Sequence, residues 1–122
     1  MKYLVLVYGN EAIWGDPSVD FAAMVAEVDA FNTALRESGE MIAVEGLVTR
    51  PRAIRASDGA PVVSDGPYLE AKEHVGSYFV LDVDSEDRAL ELAKSYPALR
   101  YDTGLGGGLE VWPLMEHGGA ES

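Results

Sequence analysis

The chain has 122 residues, which fits one domain whose core needs no metal or disulfide to hold it together. It contains no cysteine, and this excludes disulfides, thiolate metal sites and cysteine nucleophiles. The 21 acidic and 9 basic residues give a formal charge of -12, so nucleic acid and anionic membranes are disfavoured as partners because their charge would repel the protein.

The apolar segments are too short for targeting or for membrane insertion. The opening run at 2–8 is shorter than a signal-peptide core. No segment approaches the roughly 18 apolar residues of a membrane helix. We therefore predict a cytoplasmic protein with no membrane partner.

The first third of the chain carries one strand signal and one helix signal. Residues 2–8 are rich in β-formers, as is typical of a strand buried on both faces. A loop is predicted over 10–16, after which Asp16 is expected to cap a helix with Pro17 in its first turn. Gly39 is predicted to end that helix as a left-handed cap. One apolar stripe at helical spacing marks the buried side of the helix: Phe21, Met24, Val25, Val28, Phe31 and Leu35.

The remaining elements follow as strands around a second helix. Strands are predicted at 41–48 and 52–56, and Asp58-Gly59 is a tight-turn signal that leads into a hairpin partner. The clearest strand is 74–83. Asp84-Ser85 caps the second helix, which Pro97 stops. The glycine-rich connector 104–108 precedes a last strand at 109–114 and a frayed tail at 116–122, which leaves a single domain over 1–115.

The element order β-α-β-hairpin-β-α-β matches the ferredoxin-like pattern. This pattern is an α+β fold with an antiparallel sheet, two helices on one face and, here, a small additional hairpin. The strands predicted at 2–8, 74–83 and 109–114 carry apolar residues on both faces. The face away from the helices therefore needs a second cover, and a second copy of the chain supplies it. We expect a homodimer.

Residues 65–79 read DGPYLEAKEHVGSYF: Asp-Gly-Pro-aromatic, then Glu-x-Lys-Glu, then a glycine leading into an aromatic strand. This pattern resembles the signature of the YCII-related family in its DGPF branch, with Tyr68 where Phe is usual. The opening Met-Lys-Tyr strand, the helix segment Ala30-Phe31-Asn32 and the closing segment 107–111 are similar as well. The resemblance implies a ferredoxin-like fold and the pairing of two sheets into a dimeric α/β barrel.

The resemblance implies little about chemistry. Members of another branch are regarded as small enzymes because of a His–Asp pair that has no counterpart here. Some relatives are encoded beside, or fused with, extracytoplasmic-function sigma factors, which suggests a regulatory setting.

Asp65, Glu70, Lys72 and Glu73 form the best candidate chemical cluster. Asp65 either accepts backbone N–H bonds of its own turn or lies at the rim of a cleft, where Lys72 is its counter-charge and it acts as a base. Glu73 is also a candidate ligand-binding residue. His74 begins a strand and is a candidate proton shuttle, with an ordinary surface or packed histidine as the alternative.

The sheet face away from the helices offers a second candidate site. Tyr8, Tyr78 and Trp112 either line an apolar pocket there or pack in a dimer interface. Glu110 points to the Trp112 side of the last strand and needs a partner, such as Arg52 or Arg55. Glu110 is therefore a further candidate catalytic acid.

No cofactor or metal is expected. The two histidines and the scattered carboxylates do not form a ligand pattern for a transition metal. The glycine run at 104–108 leads into a strand, whereas a phosphate-binding loop opens a helix.

Two functions remain open at this level. The first is a small cofactor-free enzyme that performs acid/base chemistry on a small organic molecule in a cleft of the dimer. The alternative is a non-catalytic ligand-binding or regulatory module associated with sigma-factor-linked transcription control. The sequence does not decide whether the protein is an enzyme.

Overall fold

A computed structural model describes residues 1–48, 50–65, 73–101 and 103–116. Its six strands are β1 (Lys2–Gly9), β2 (Met41–Gly46), β3 (Arg52–Ser57), β4 (Ala60–Asp65), β5 (His74–Asp82) and β6 (Gly108–Pro113). Its helices are α1 (Glu11–Trp14), α2 (Phe21–Glu37) and α3 (Glu86–Lys94), followed by a 3-10 helix at Pro97–Arg100. The predictions for Glu70, for Lys72 and for the tail beyond residue 116 lie outside the described residues.

Four strands form one antiparallel sheet in the order β2-β5-β1-β6. Strands β3 and β4 pair separately as a two-stranded hairpin. The predicted α+β class, with an antiparallel sheet and a small hairpin, is confirmed. Within the part of the chain that the structure describes, the sheet is open and does not close into a barrel.

The core lies on one face of this sheet. Tyr3 and Val5 of β1 and Phe79 and Leu81 of β5 are the largest fully buried side chains. Helix α2 adds Leu35 to the cluster, and α3 adds Ala89 and Leu92. Because these side chains alternate along each strand with half-buried neighbours, both long helices cover the same face. The described helices include none long and apolar enough to span a membrane.

The beginning of α2 differs from the prediction. Its N-cap is Asp20, whose carboxylate accepts from the Ala23 N–H at 3.0 Å. Asp16 instead accepts from the Ser18 N–H at 2.9 Å and so holds a turn. The helix therefore starts at Phe21 and not at Pro17. Asp16 and Asp20 are equally good capping residues by sequence, and the cap forms at Asp20.

The segment predicted as a loop after β1 contains the short helix α1. Asn10 caps it through its side-chain oxygen, which accepts from the Ile13 N–H at 2.9 Å. The other local signals are confirmed: Gly39 has a φ of 82° after α2, and Ser85 caps α3. Two residues of helix α1, Ile13 and Trp14, line the cavity described below.

Candidate functional site

A cavity of about 740 Å³ lies on the helix-covered side of the sheet, at one end. Its walls come from the end of β1, helix α1, the first half of α2, the start of β5, the 3-10 helix and the glycine-rich segment before β6. The lining is mainly apolar and includes Val7, Ile13, Trp14, Met24, Val28 and Leu109. A cavity of this size and character is the kind that encloses a small organic molecule.

The apolar stripe of α2 serves two purposes. Its C-terminal part, with Phe31 and Leu35, packs in the core. Its N-terminal part, with Phe21 and Met24, lines the cavity, and Val28 takes part in both. The stripe is therefore longer than the core requires. These additional apolar residues at the start of α2 are a feature of the sequence that reflects the cavity.

Trp14 forms a fixed wall of the cavity. Its indole lies against the backbone of β1 and β5, where a Cβ added to Gly9 would meet the Trp14 Nε1 at 2.7 Å. A Cβ on Gly76 would meet Cζ2 of the same ring at 3.4 Å. Glycine at both positions lets the ring approach the sheet closely, which a side chain would prevent at Gly9.

Asn10 and Glu73 join helix α1 to the glycine-rich segment, and we call these two residues with 105–107 the polar clasp. The Glu73 carboxylate accepts from the Gly107 N–H at 2.8 Å and from Asn10 Nδ2 at 2.9 Å. Asn10 Nδ2 also donates to the Leu105 carbonyl at 2.9 Å. The Gly107 N–H, and next the Asn10 amide, hold the pKa of Glu73 below its usual value. The clasp thus fixes two of the segments that enclose the cavity.

The close approach in the clasp depends on glycine. Gly106 has a φ of 101°, and a Cβ there would meet the Glu73 Oε1 at 2.5 Å. Gly107 has a φ of 88° and approaches Ile13 of α1. The glycine run predicted as a flexible connector is therefore held in a left-handed conformation against named partners.

His74 lies behind the Trp14 wall. The two ring centroids are 6.4 Å apart with an interplanar angle of 31°. The Glu73 carboxylate precedes it in sequence, and the charge of His74 is one of the lesser causes that lower the Glu73 pKa. Two of the predicted site residues, Glu73 and His74, therefore contact residues that line the cavity, namely Gly107 and Trp14, but neither is itself part of the lining.

Asp65 lies elsewhere. It ends β4 opposite Arg52 of β3, and its side chain is 94 % exposed. Arg52 Nε lies 3.3 Å from Asp65 Oδ1, so Arg52 is the cation beside this carboxylate. The predicted counter-charge, Lys72, lies outside the described residues.

The other predicted residues meet on the sheet face away from the helices. Glu110 Oε1 accepts from the Tyr8 hydroxyl at 2.8 Å and from Trp112 Nε1 at 3.0 Å. The hydrogen bond between Tyr8 and Glu110 raises the pKa of Tyr8, and burial and the negative charge of Glu110 raise it further. Tyr78 lies on the same face, opposite Leu6 of β1. Trp112 is 52 % exposed, so these side chains form a surface patch rather than an enclosed pocket.

Besides Tyr8, whose hydroxyl donates to Glu110, three residues with hydroxyl groups line the cavity: Ser77, Tyr96 and Tyr101. Ser77 lies on the same face of β5 as Phe79, on which the Tyr96 ring stacks. Tyr101 donates to Glu27 Oε2 at 3.0 Å, and Arg100 Nη2 lies 3.1 Å from the same oxygen. Sequence reasoning missed these three hydroxyl groups because their convergence depends on how the 3-10 helix closes the cavity.

Over 1–48, 50–65, 73–101 and 103–116 there is no group of three or more histidine, aspartate or glutamate side chains placed to hold a metal ion. The carboxylates described above are occupied by hydrogen bonds or by arginine.

Two comparisons with known proteins find sequences similar to this chain. The family model of the YCII-related domain matches residues 1–115. An uncharacterised protein of Rhizobium meliloti is 30 % identical over 119 residues, which cover 93 % of this chain and 92 % of the relative.

Proposed function

This chain belongs to the YCII-related domain family, and on that premise we propose that it binds a small, largely apolar organic molecule in the helix-side cavity. The observation that carries the proposal is the cavity itself, with its volume of about 740 Å³. Ligand sites in proteins commonly occupy about 300–1,000 Å³ and combine apolar walls with a few polar groups. The cavity has both properties.

The walls are organised for binding before any ligand arrives. The Trp14 indole is fixed against Gly9 and Gly76, and the polar clasp holds α1 to the glycine-rich segment. A preformed site spends little free energy on ordering side chains when it binds. This rigidity supports binding at the cavity rather than at the exposed hairpin near Asp65.

We also propose that the protein acts on its ligand by proton transfer, with His74 and Glu73 as the first candidates. The supporting observation is that His74 lies against Trp14 and Glu73 bonds to Gly107, and both Trp14 and Gly107 line the cavity. An imidazole has one nitrogen that can accept a proton and one that can donate it, so His74 is chemically suited to proton transfer. Asp65 and Glu110 are the second choices because they lie on other surfaces. Binding without turnover would favour the regulatory alternative.

A further proposal concerns assembly. The strand order β2-β5-β1-β6 supports a ferredoxin-like arrangement, and the sheet face opposite the helices carries Leu4, Leu6, Val80 and Trp112. We propose that a second copy covers this face and completes a dimeric α/β barrel. The hairpin supports the same proposal, since an isolated two-stranded hairpin is marginally stable in water.

Binding is tested by a thermal-shift screen of small aromatic and aliphatic compounds. Hits should raise the melting temperature of the wild-type protein in a concentration-dependent way. The variant Ala98→Phe places a ring in the cavity and should abolish the shift, whereas the matched Ala22→Phe, on the exposed side of α2, should preserve it. Equal shifts in both variants would place the ligand elsewhere and overturn the proposal.

A further inference from the structure

Two side chains with hydroxyl groups line the mainly apolar wall of the cavity: one lies two residues before Phe79 on the same face of β5, and the other stacks on Phe79. Ser77 of β5 contributes one, and Tyr96, which precedes the 3-10 helix, contributes the other. We propose that Ser77 and Tyr96 together recognise a hydroxyl or carbonyl oxygen on an aromatic ligand. This inference rests on the proposed function and adds the class of ligand: a neutral aromatic alcohol or ketone.

The Tyr96 hydroxyl is held in place by its ring. The ring stacks on Phe79 with centroids 5.8 Å apart and an interplanar angle of 23°. It also meets Phe31 edge to face, at 5.4 Å and 89°. Tyr96 is only 6 % exposed, so this packing leaves the ring little freedom. A hydroxyl fixed in this way binds a ligand atom without a cost for ordering the side chain.

The pair has hydrogen-bonding capacity left for a ligand. Each hydroxyl has one proton to donate and two lone pairs to accept. Even if one hydroxyl donates its proton to the other, the second proton remains for a ligand oxygen. Burial raises the pKa of Tyr96, so its hydroxyl stays protonated at neutral pH and remains a donor.

The third hydroxyl in the lining is committed elsewhere. Tyr101 donates to the Glu27 carboxylate, which Arg100 also contacts. A bond to a charged acceptor is stronger than one to a neutral ligand oxygen, so a ligand would not easily take this proton. Tyr101 therefore contributes its ring to the wall and serves as a control for Tyr96.

The remaining walls favour an aromatic ligand body. The flat Trp14 indole and the Phe21 ring both line the cavity. Planar aromatic ligands match such walls through offset stacking and edge contacts. The aromatic walls would hold the apolar part of the ligand, and the hydroxyl pair would fix its orientation.

The test compares naphthol with methylnaphthalene, a pair of similar shape in which a methyl group replaces the hydroxyl. Wild-type protein should bind naphthol about tenfold more tightly, which is about 1.4 kcal/mol and the size of one net hydrogen bond. In Tyr96→Phe and in Ser77→Ala the preference should fall to about twofold or less. In Tyr101→Phe it should remain about tenfold.

The outcomes distinguish failure of recognition by the hydroxyl pair from failure of binding in the cavity. If wild-type protein binds both compounds equally, the hydroxyl pair does not recognise the ligand, while binding in the cavity stands. If the preference survives in both Tyr96→Phe and Ser77→Ala, the polar contact lies elsewhere and the inference is wrong. If neither compound binds, cavity binding fails as well. Thermal melts of each variant establish folding, and two independent variants keep the test decisive should one of them unfold.

Discussion

Replacing Gly9 by alanine tests the close contact that builds one wall of the cavity. The new Cβ would lie 2.7 Å from Trp14 Nε1 and 2.9 Å from Cε2 and Cζ2. Heavy-atom contacts involving carbon settle near about 3.5 Å, so the ring must move by about 0.8 Å. Because the indole also rests on Gly76 and faces His74, it cannot move without disturbing its neighbours.

The expected magnitude follows from the cost of overpacking, which is typically about 1–3 kcal/mol. For a domain of this size, each kcal/mol lowers the melting temperature by about 4 °C, so Gly9→Ala should lose about 4–12 °C. The displaced ring should also weaken naphthol binding. Thermal denaturation followed by circular dichroism gives the first quantity. The fluorescence of Trp14 in a Trp112→Phe background reports the movement of the ring.

Gly76→Ala is the matched control because its Cβ would face the same indole at 3.4 Å, an ordinary contact distance. Alanine also restricts the unfolded chain more than glycine does, which favours the folded state of a strand by about 0.5–1 kcal/mol. The control should therefore melt at or slightly above the wild-type temperature. Equal melting temperatures for the two variants would refute the geometry described for Trp14.

Glu73→Gln should lower the melting temperature near neutral pH, and its difference from wild type should disappear in acid. The Gly107 N–H and the Asn10 amide lower the pKa of Glu73 in the folded protein. The stability that the ionised Glu73 side chain contributes is therefore complete above the ordinary glutamate pKa of 4.5 and is lost as pH falls through the lowered pKa. A melting-temperature difference that stays constant across pH would contradict this. Asp65→Asn should change stability by less than about 0.5 kcal/mol and leave naphthol affinity unchanged, since the exposed pair with Arg52 is worth little; a tenfold loss of affinity would return Asp65 to the site. Light scattering should give twice the 13.1 kDa chain mass for the wild type and for Leu90→Glu, and a monomer for Leu6→Glu; a wild-type monomer at micromolar concentration would contradict the dimer.

The sheet and its two long helices could be predicted from local patterns. A period of two residues places Tyr8, Glu110 and Trp112 on one face, because side chains alternate along strands. The structure joins these three by hydrogen bonds. Glu110 was predicted to pair with an arginine such as Arg52 or Arg55. It accepts hydrogen bonds from Tyr8 and Trp112, and the hairpin pairs Arg52 with Asp65.

The cavity could not be predicted because it depends on long-range contacts. Asn10 and Glu73 are 63 residues apart in sequence, and no local preference indicates that they meet. A register shift between Val7 and Tyr8, where Gly76 is an extra residue in β5, also interrupts the β1–β5 pairing beside the cavity. The sequence predicted either a pocket or a dimer interface on the aromatic face of the sheet, whereas the cavity described here lies on the face that the helices cover.

The most direct test of cavity binding is the location of naphthol on the wild-type protein by amide chemical-shift perturbation. Binding in the helix-side cavity predicts that the largest shifts occur at Val28, Leu99 and Gly107, which line it from three different segments. Small shifts are expected at Leu6 and Trp112, on the opposite face of the sheet. Largest shifts at Leu6 and Trp112, with Val28 and Leu99 unchanged, would contradict the account.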